Sequence, residues 1–338
     1  MLAIDGSRGE GGGQVLRSAL SLSIVTGQAF RLFNIRAHRA KPGLRWQHLA
    51  AVRAAQAVSS AAVEGAGLGA TEITFAPRGL EGGQHAFDVG TAGSTTLVAQ
   101  TLIPALLHTQ QPFEISIDGG THNPMSPPFE FLARTYLPLL RRMGAHVEAR
   151  LVRRGFYPAG GGRIELSIGK TAALTPIELC DRGPLLGRQA VAIASRLPMS
   201  IAQRELATLG DLLGWPPDVL HTQADEAATG PGNAVIVELE FANLTEVFAG
   251  FGLKGLPAET VADGVATKVA DYLAGVAAVD AHLADQLLLP MAIAGGGRFT
   301  TFQPTQHTLT NIGIIETFMP VRIRIDHDRK DVFIISID

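Results

Sequence analysis

His307 lies in the run PTQHTLTN, flanked by hydroxyl and amide side chains. A neutral imidazole attacks phosphorus readily, and the P–N bond formed has high transfer potential. The plainer reading is a hydrogen-bonded loop histidine. Glu10 stands in the glycine-rich run GEGGGQ (Gly9–Gln14), between the strand-like LAID and an apolar helical stretch. Amides at a helix start form an anion cradle when no side chain blocks approach. A carboxylate among them is unfavourable unless a cation intervenes, so Glu10 is expected to hold Mg²⁺ or Mn²⁺ bridging to a nucleotide. The competing reading is a packing corner whose carboxylate complements the helix dipole. Neither a G-K-[ST] ending nor GxGxxG spacing is present.

Charge distribution points to a second group. No acidic residue occurs between Glu10 and Glu64, while Arg17, Arg31, Arg36, Arg39, Lys41, Arg45 and Arg53 all fall there. With a net charge of only −3, such a one-signed stretch suits a local phosphate site rather than a long duplex. Arg36 and Arg39 stand three apart in the loop IRAHRAKPG, and guanidinium forks bind terminal phosphates in two-pronged fashion. Gln47 and His48 follow on a helix, in reach of a ribose or phosphate. In GGTHNPMSPP (Gly119–Pro128), Pro127 and Pro128, with Phe131 beyond, are suited to one wall of an adenine slot or simply to a helix cap. The lone Cys180 has no obvious activating neighbour and is expected to be a buried structural thiol.

These residues fall in a recurring grammar of glycine-containing loop, apolar helix, strand, polar loop, helix and strand. Three such units are expected at about 1–80, 81–180 and 276–338, forming one domain from 1–180 and 276–338. The stretch 181–275 does not fit and reads as an inserted smaller α/β domain, with strands at RQAVAIAS, NAVIVELEF and TEVFAGFG. In the third unit the sequence predicts a loop around His307 and a helix from about Asn311 to Phe318. A hydrophobic fraction of 46% supports a large α/β core, and no run approaches the length of a membrane span. The N-terminus carries an early aspartate and lacks a signal pattern, so a cytoplasmic location is expected.

Taken together, DGSRGEGGGQVLRSALSLS, IRAHRAKPGL, GTAGSTTLVAQTLIPALL, GGTHNPMSPP, RRGFYPAGGG, ATGPGN, LADQLLLPMA and QPTQHTLTNI resemble the RNA 3′-terminal phosphate cyclase family along nearly the whole chain. The resemblance implies a domain of three units like the C-terminal domain of translation initiation factor three, plus an inserted α/β domain. It also implies a reaction in which His307 takes AMP from ATP and passes it to an RNA 3′-phosphate. The neighbouring 2′-OH then displaces AMP and closes a 2′,3′-cyclic phosphate. By the same resemblance Glu10 helps hold metal and triphosphate, and Arg36 and Arg39 hold the RNA phosphate. Gln47 and His48 match functional polar positions. Gln100, Pro127, Phe131, His282, Leu283, Ala284, Asp285 and Gln286 line the ATP site, with Arg17 in the substrate-binding stretch.

Two positions depart from the family pattern. His282 stands where family members carry tyrosine, and Trp46 stands where arginine usually precedes Gln–His, with Arg45 one place earlier. Two alternatives share related folds: a non-catalytic cyclase-like ribosome-assembly protein, which His307 and Glu10 disfavour, and an enolpyruvyl-type transferase, which LADQ and PTQH disfavour.

Overall fold

The computed structural model describes all residues, Met1–Asp338. The first sheet holds β1 (Leu2–Asp5), β2 (Phe30–Phe33), β3 (Ala62–Glu64) and β4 (Ile73–Ala76) in the order β1-β2-β4-β3. β1 and β2 are parallel and the other pairings antiparallel. Helix α1 (Gly13–Thr26) links β1 to β2, and α2 (Trp46–Ser59) links β2 to β3. The second sheet repeats the plan with β5 (Gly83–Asp88), β6 (Phe113–Gly119), β7 (Val147–Arg153) and β8 (Gly162–Ile168), ordered β5-β6-β8-β7. Its helices are α3 (Thr95–Leu106) and a π-helical turn, Phe131–Tyr136, that runs into α4 (Leu137–Arg142).

The third sheet begins with β9 (Ile177–Leu179), is interrupted, and resumes after residue 280. The interruption contains β10 (Leu185–Ser195), α5 (Met199–Leu213), β11 (Leu220–Ala224), β12 (Gly232–Phe241), β13 (Thr245–Phe251) and α6 (Ala258–Ala274). Then come α7 (Ala281–Ile293), β14 (Gly297–Thr301), α8 (Gln306–Phe318), β15 (Ile323–Arg329) and β16 (Val332–Ile337). β9 pairs in parallel with β14, completing the order β15-β16-β14-β9. The stretch read from sequence as the end of the second unit therefore supplies an edge strand to the third sheet. Its hydrogen-bond partners lie more than a hundred residues away, so no local signal marks the pairing.

Strand periodicity explains which faces are buried. In β8, Ile164, Leu166 and Ile168 point into the core while Arg163, Glu165 and Ser167 do not. By contrast α3 and α7 are apolar almost all round and run through the middle of the repeat domain. α1 packs against both α3 and α8, and α7 packs against α8. Ser21 on α1 donates to the Thr101 carbonyl of α3 at 2.6 Å, satisfying a hydroxyl where the helices approach closely.

The inserted sheet has two apolar faces. Ala190, Ala192, Val235 and Val237 pack with α5 and α6. Ile193, Ala234, Ile236 and Val247 join the core of the repeat domain instead. One contact ties the two ends of the insert together and another attaches it to α7. The Arg182 guanidinium donates to the Tyr272 and Gly275 carbonyls at 2.8 and 2.7 Å and lies over the Phe241 and Tyr272 rings. Glu246, on β13, accepts from the Asp280 amide at 2.8 Å, and Asp280 in turn caps α7. Cys180, expected inside, is exposed; its carbonyl accepts from Thr300, and partial desolvation pushes its thiol pKa up, so nothing activates it.

Candidate active site

The helix bearing His307 starts earlier than its sequence predicts. Thr305 caps α8 by accepting from the Thr308 amide at 3.2 Å, so His307 sits in the first helical turn and not in a loop. The hydroxyl cap outweighs the β-branched residues that follow it. In that turn the unpaired amides and the positive end of the helix dipole favour a neutral imidazole and a bound anion. The His307 side chain is 51% exposed, and its Nδ1 lies 4.0 Å from Glu10 Oε2. Its pKa is lowered, first by desolvation and then by Arg17, His282 and Arg39, with Asp285 opposing.

The glycine-rich loop is stitched to α8. The Glu10 amide donates to Thr310 Oγ1 at 2.9 Å, and that hydroxyl donates to the Gln306 carbonyl at 2.6 Å. Gly9 adopts a left-handed conformation against the Thr310 side chain, where any Cβ would collide. The Glu10 carboxylate is 12% exposed, pairs with Arg39 and leaves Oε2 buried without a hydrogen-bond partner.

Below this rim lies a polar cavity of about 20 Å³, room for one water molecule. Gln14, Arg17, Ser18, Gln100, Tyr136, Asp285, Gln286 and Asn311 are among its walls. Arg17 donates to Gln14 Oε1 at 2.6 Å, Ser18 to Asn311 Oδ1 at 2.6 Å, and Asn311 to the Asp285 carbonyl at 2.9 Å. Several atoms are left over: both amide atoms of Gln100, the Tyr136 hydroxyl and Asp285 Oδ1 are buried without partners. Burial raises the Asp285 carboxyl to about 6 and lowers Arg17 to about 10, each partly offset by the other.

A cationic cluster adjoins α1. His48 Nδ1 accepts from the Arg45 amide at 3.1 Å, satisfying a free donor at the start of α2. Burial, and then Arg17, Arg36 and Arg45, hold the His48 pKa at about 3, so its ring is neutral. Arg36 is itself lowered by burial and by Arg45. Three guanidinium groups thus act on one imidazole. Arg36 is not free to fork, because Nη1 donates to the Lys41 and Gly43 carbonyls at 2.8 and 2.9 Å and closes its own loop. Gln47 is also engaged, accepting from the Ser94 amide at 2.9 Å.

Other sequence-derived positions divide by helix face. On α7, His282 is exposed, Asp285 and Gln286 line the cavity, and Leu283 and Ala284 point into the core at 0% and 1% exposure. Phe131 is only 3% exposed and packs in the core, so it offers no open wall; Pro127 is partly exposed and its carbonyl accepts from Thr96. Sequence alone does not single out Tyr136, Ser18 and Asn311, whose roles depend on contacts between distant helices.

Comparison with known proteins shows the family. The family model for RNA 3′-terminal phosphate cyclase matches residues 8–325. The chain belongs to the RNA 3′-terminal phosphate cyclase family. An RNA 3′-terminal phosphate cyclase of Koribacter versatilis is 49% identical over 98% of this chain and 93% of its own length. Those of Pseudomonas fluorescens and Ectopseudomonas mendocina are 53% and 50% identical over 93% of this chain, covering 91% and 92% of theirs. Relatives of this family are ligases, and the shared region includes Glu10, the cationic loop and His307. No helix is long and apolar enough to cross a membrane.

Proposed function

We propose that the protein converts an RNA 3′-terminal phosphate to a 2′,3′-cyclic phosphate at the expense of ATP. The carrying observation is the neutral-leaning imidazole of His307, half exposed in the first turn of α8 and 4.0 Å from Glu10. With Nδ1 turned to Glu10, Nε2 is the attacking atom. It bonds to the α-phosphorus of ATP, and the bond to pyrophosphate breaks. An RNA 3′-phosphate oxygen then attacks that phosphorus, breaking P–N and giving RNA(3′)pp(5′)A with His307 restored. Finally the 2′-oxygen loses its proton, bonds to the terminal phosphorus and expels AMP. Activation is needed because oxide is a poor leaving group, whereas AMP is a good one, and the adjacent hydroxyl is already in position.

The residues divide the work. Asp285, Gln286, Gln100, His282, Leu283, Ala284, Pro127 and Phe131 form or back the nucleotide side, with Phe131, Leu283 and Ala284 acting from the core. Arg17, Arg36, Arg39, Gln47 and His48, joined by Arg45, form the RNA phosphate side, where Arg36 and Arg45 crowd His48 and Arg39 can exchange Glu10 for an anion. No three His, Cys, Asp or Glu side chains gather to cage a metal. The buried, unpartnered Glu10 Oε2 nevertheless fits a Mg²⁺ or Mn²⁺ ion carried mainly by phosphate oxygens and water. Such an ion supplies charge neutralisation at the triphosphate.

The test is label transfer from α-³²P ATP. Wild-type protein should form an acid-labile, alkali-stable adduct, and His307→Ala, folded by circular dichroism, should form none. A wild-type protein that never labels would overturn the reading in favour of a non-catalytic RNA-binding role.

A further inference from the structure

We infer that Trp46 is a stacking platform for a nucleobase at the 3′ end of the RNA, beside the cluster that holds the terminal phosphate. The inference rests on the RNA-cyclase reading above and goes beyond it by giving the enzyme a base contact.

Trp46 is 47% exposed, although large aromatic side chains are usually well covered. The chain's other tryptophan, Trp215, is 6% exposed and lies in the core of the insert, with Arg188 over its ring. Trp46 has neither an aromatic nor a cationic partner of that kind, so its face is uncommitted. Its backbone is held on both sides: Arg45 N–H donates to His48 Nδ1 at 3.1 Å, and Gln47 Oε1 accepts from Ser94 N–H at 2.9 Å. With only two side-chain torsions, the ring loses little freedom when a base settles on it.

The surroundings select the ligand. His48, two residues on, is flanked by Arg17, Arg36 and Arg45. The loop leading into Trp46 also carries exposed Arg39 and Lys41, and Arg39 reaches Glu10, the neighbour of His307. The stretch from Arg39 to Arg45 thus carries cations from the rim of the site to the residue that precedes the platform. Single-stranded nucleic acids are bound by this combination of a positive track with an aromatic face. An apolar protein partner would find no matching surface, since the chain leading into the ring is basic, with Arg39, Lys41 and Arg45. Because every base has a π-face, the contact should favour single-stranded ends over ends buried in a duplex, with little preference among bases.

Three measurements test this. In steady-state cyclisation, Trp46→Ala should raise the KM for a 3′-phosphorylated oligoribonucleotide by about 5- to 150-fold, leave kcat nearly unchanged, and recover most of the loss as Trp46→Phe. Adenylylation of the protein by ATP alone needs no RNA and should match wild type, separating this inference from the cyclase reading. The same oligonucleotide should quench tryptophan fluorescence in wild type but not in Trp46→Phe, because Trp215 is covered. An abasic residue at the last or next-to-last position should weaken both quenching and binding. An unchanged RNA KM in Trp46→Ala, or equal binding of both abasic oligonucleotides and the intact one, would overturn the platform. Should wild-type protein label with ATP but show no quenching, the platform fails and the cyclase reading stands; should labelling fail while quenching persists, the reverse holds.

Discussion

At the rim of the site, Glu10 pairs with half-exposed Arg39 and turns its buried Oε2 towards half-exposed His307, whereas one layer down Gln100, Tyr136 and Asp285 have polar atoms enclosed on all sides. Rim charges are solvent-screened and can exchange partners cheaply when a triphosphate or an RNA end arrives. Floor groups are cut off from bulk water, so each must find its hydrogen-bond partner inside the cavity or on a bound ligand. The difference separates residues whose loss should damage chemistry alone from residues whose loss should trade function against stability.

Glu10→Ala should show the largest effect. We expect adenylylation of His307 to fall by about 10²-fold or more, with the free energy of unfolding changed by under about 1 kcal/mol because the Arg39 pair is partly solvated. Single-turnover labelling and urea unfolding measure the two quantities. Labelling within a few-fold of wild type would place the chemistry elsewhere and dissolve the contrast.

Gln100→Leu should come next and move two observables in opposite directions. Removing an unpartnered amide should stabilise the fold by about 1 kcal/mol, while the KM for ATP rises by about 10-fold. A loss of stability would mean that buried water already satisfies that amide. Asp285 gives the floor a pH signature. Burial raises its carboxyl to about 6 from 3.8, so between those values the native state binds more protons than the unfolded chain. Stability is therefore highest below that window and falls as pH rises through it, by roughly 3 kcal/mol at most. Asp285→Asn should flatten the profile in urea titrations between pH 4 and 7.

How much of this was readable in the residues differs between the two layers. Glu10, Arg36 and Arg39 stand out in sequence because charge and glycine in a local run already imply an anion, whereas the role of His307 is legible only through the family resemblance. The mixed α/β class and the repeated unit follow from alternating helical and strand periodicities. The floor was less visible. Tyr136 and Asn311 look like ordinary helix residues until helices from three units meet, and Ser18 gains its role only through Asn311 on α8. Short edge strands such as β3, β9 and β11 escaped for a related reason: three to five residues carry too little periodicity, and long-range pairing alone defines them. The start of α8 was misjudged because Thr305 caps a helix whose first turn is polar. Proline-rich sequence also suggested an open adenine wall, yet Phe131 turns inward, leaving exposed His282 as the better candidate to face a base.

Arg39 offers the smallest and most discriminating probe of the rim. Its charge is one of the influences that hold the His307 pKa below the usual imidazole value, and it also pairs with Glu10. In wild type the acid limb of the labelling rate should thus lie below about pH 6.5, where free imidazole titrates. Arg39→Ala removes a cation and releases a carboxylate towards the ring, and both changes favour protonated His307. The limb should move to higher pH, so labelling falls at mildly acid pH and matches wild type at pH 8. Thermal stability should change by less than about 1 kcal/mol. A limb that stays in place would show that Arg39 does not act on the imidazole, leaving desolvation and Arg17 as the groups that keep it neutral.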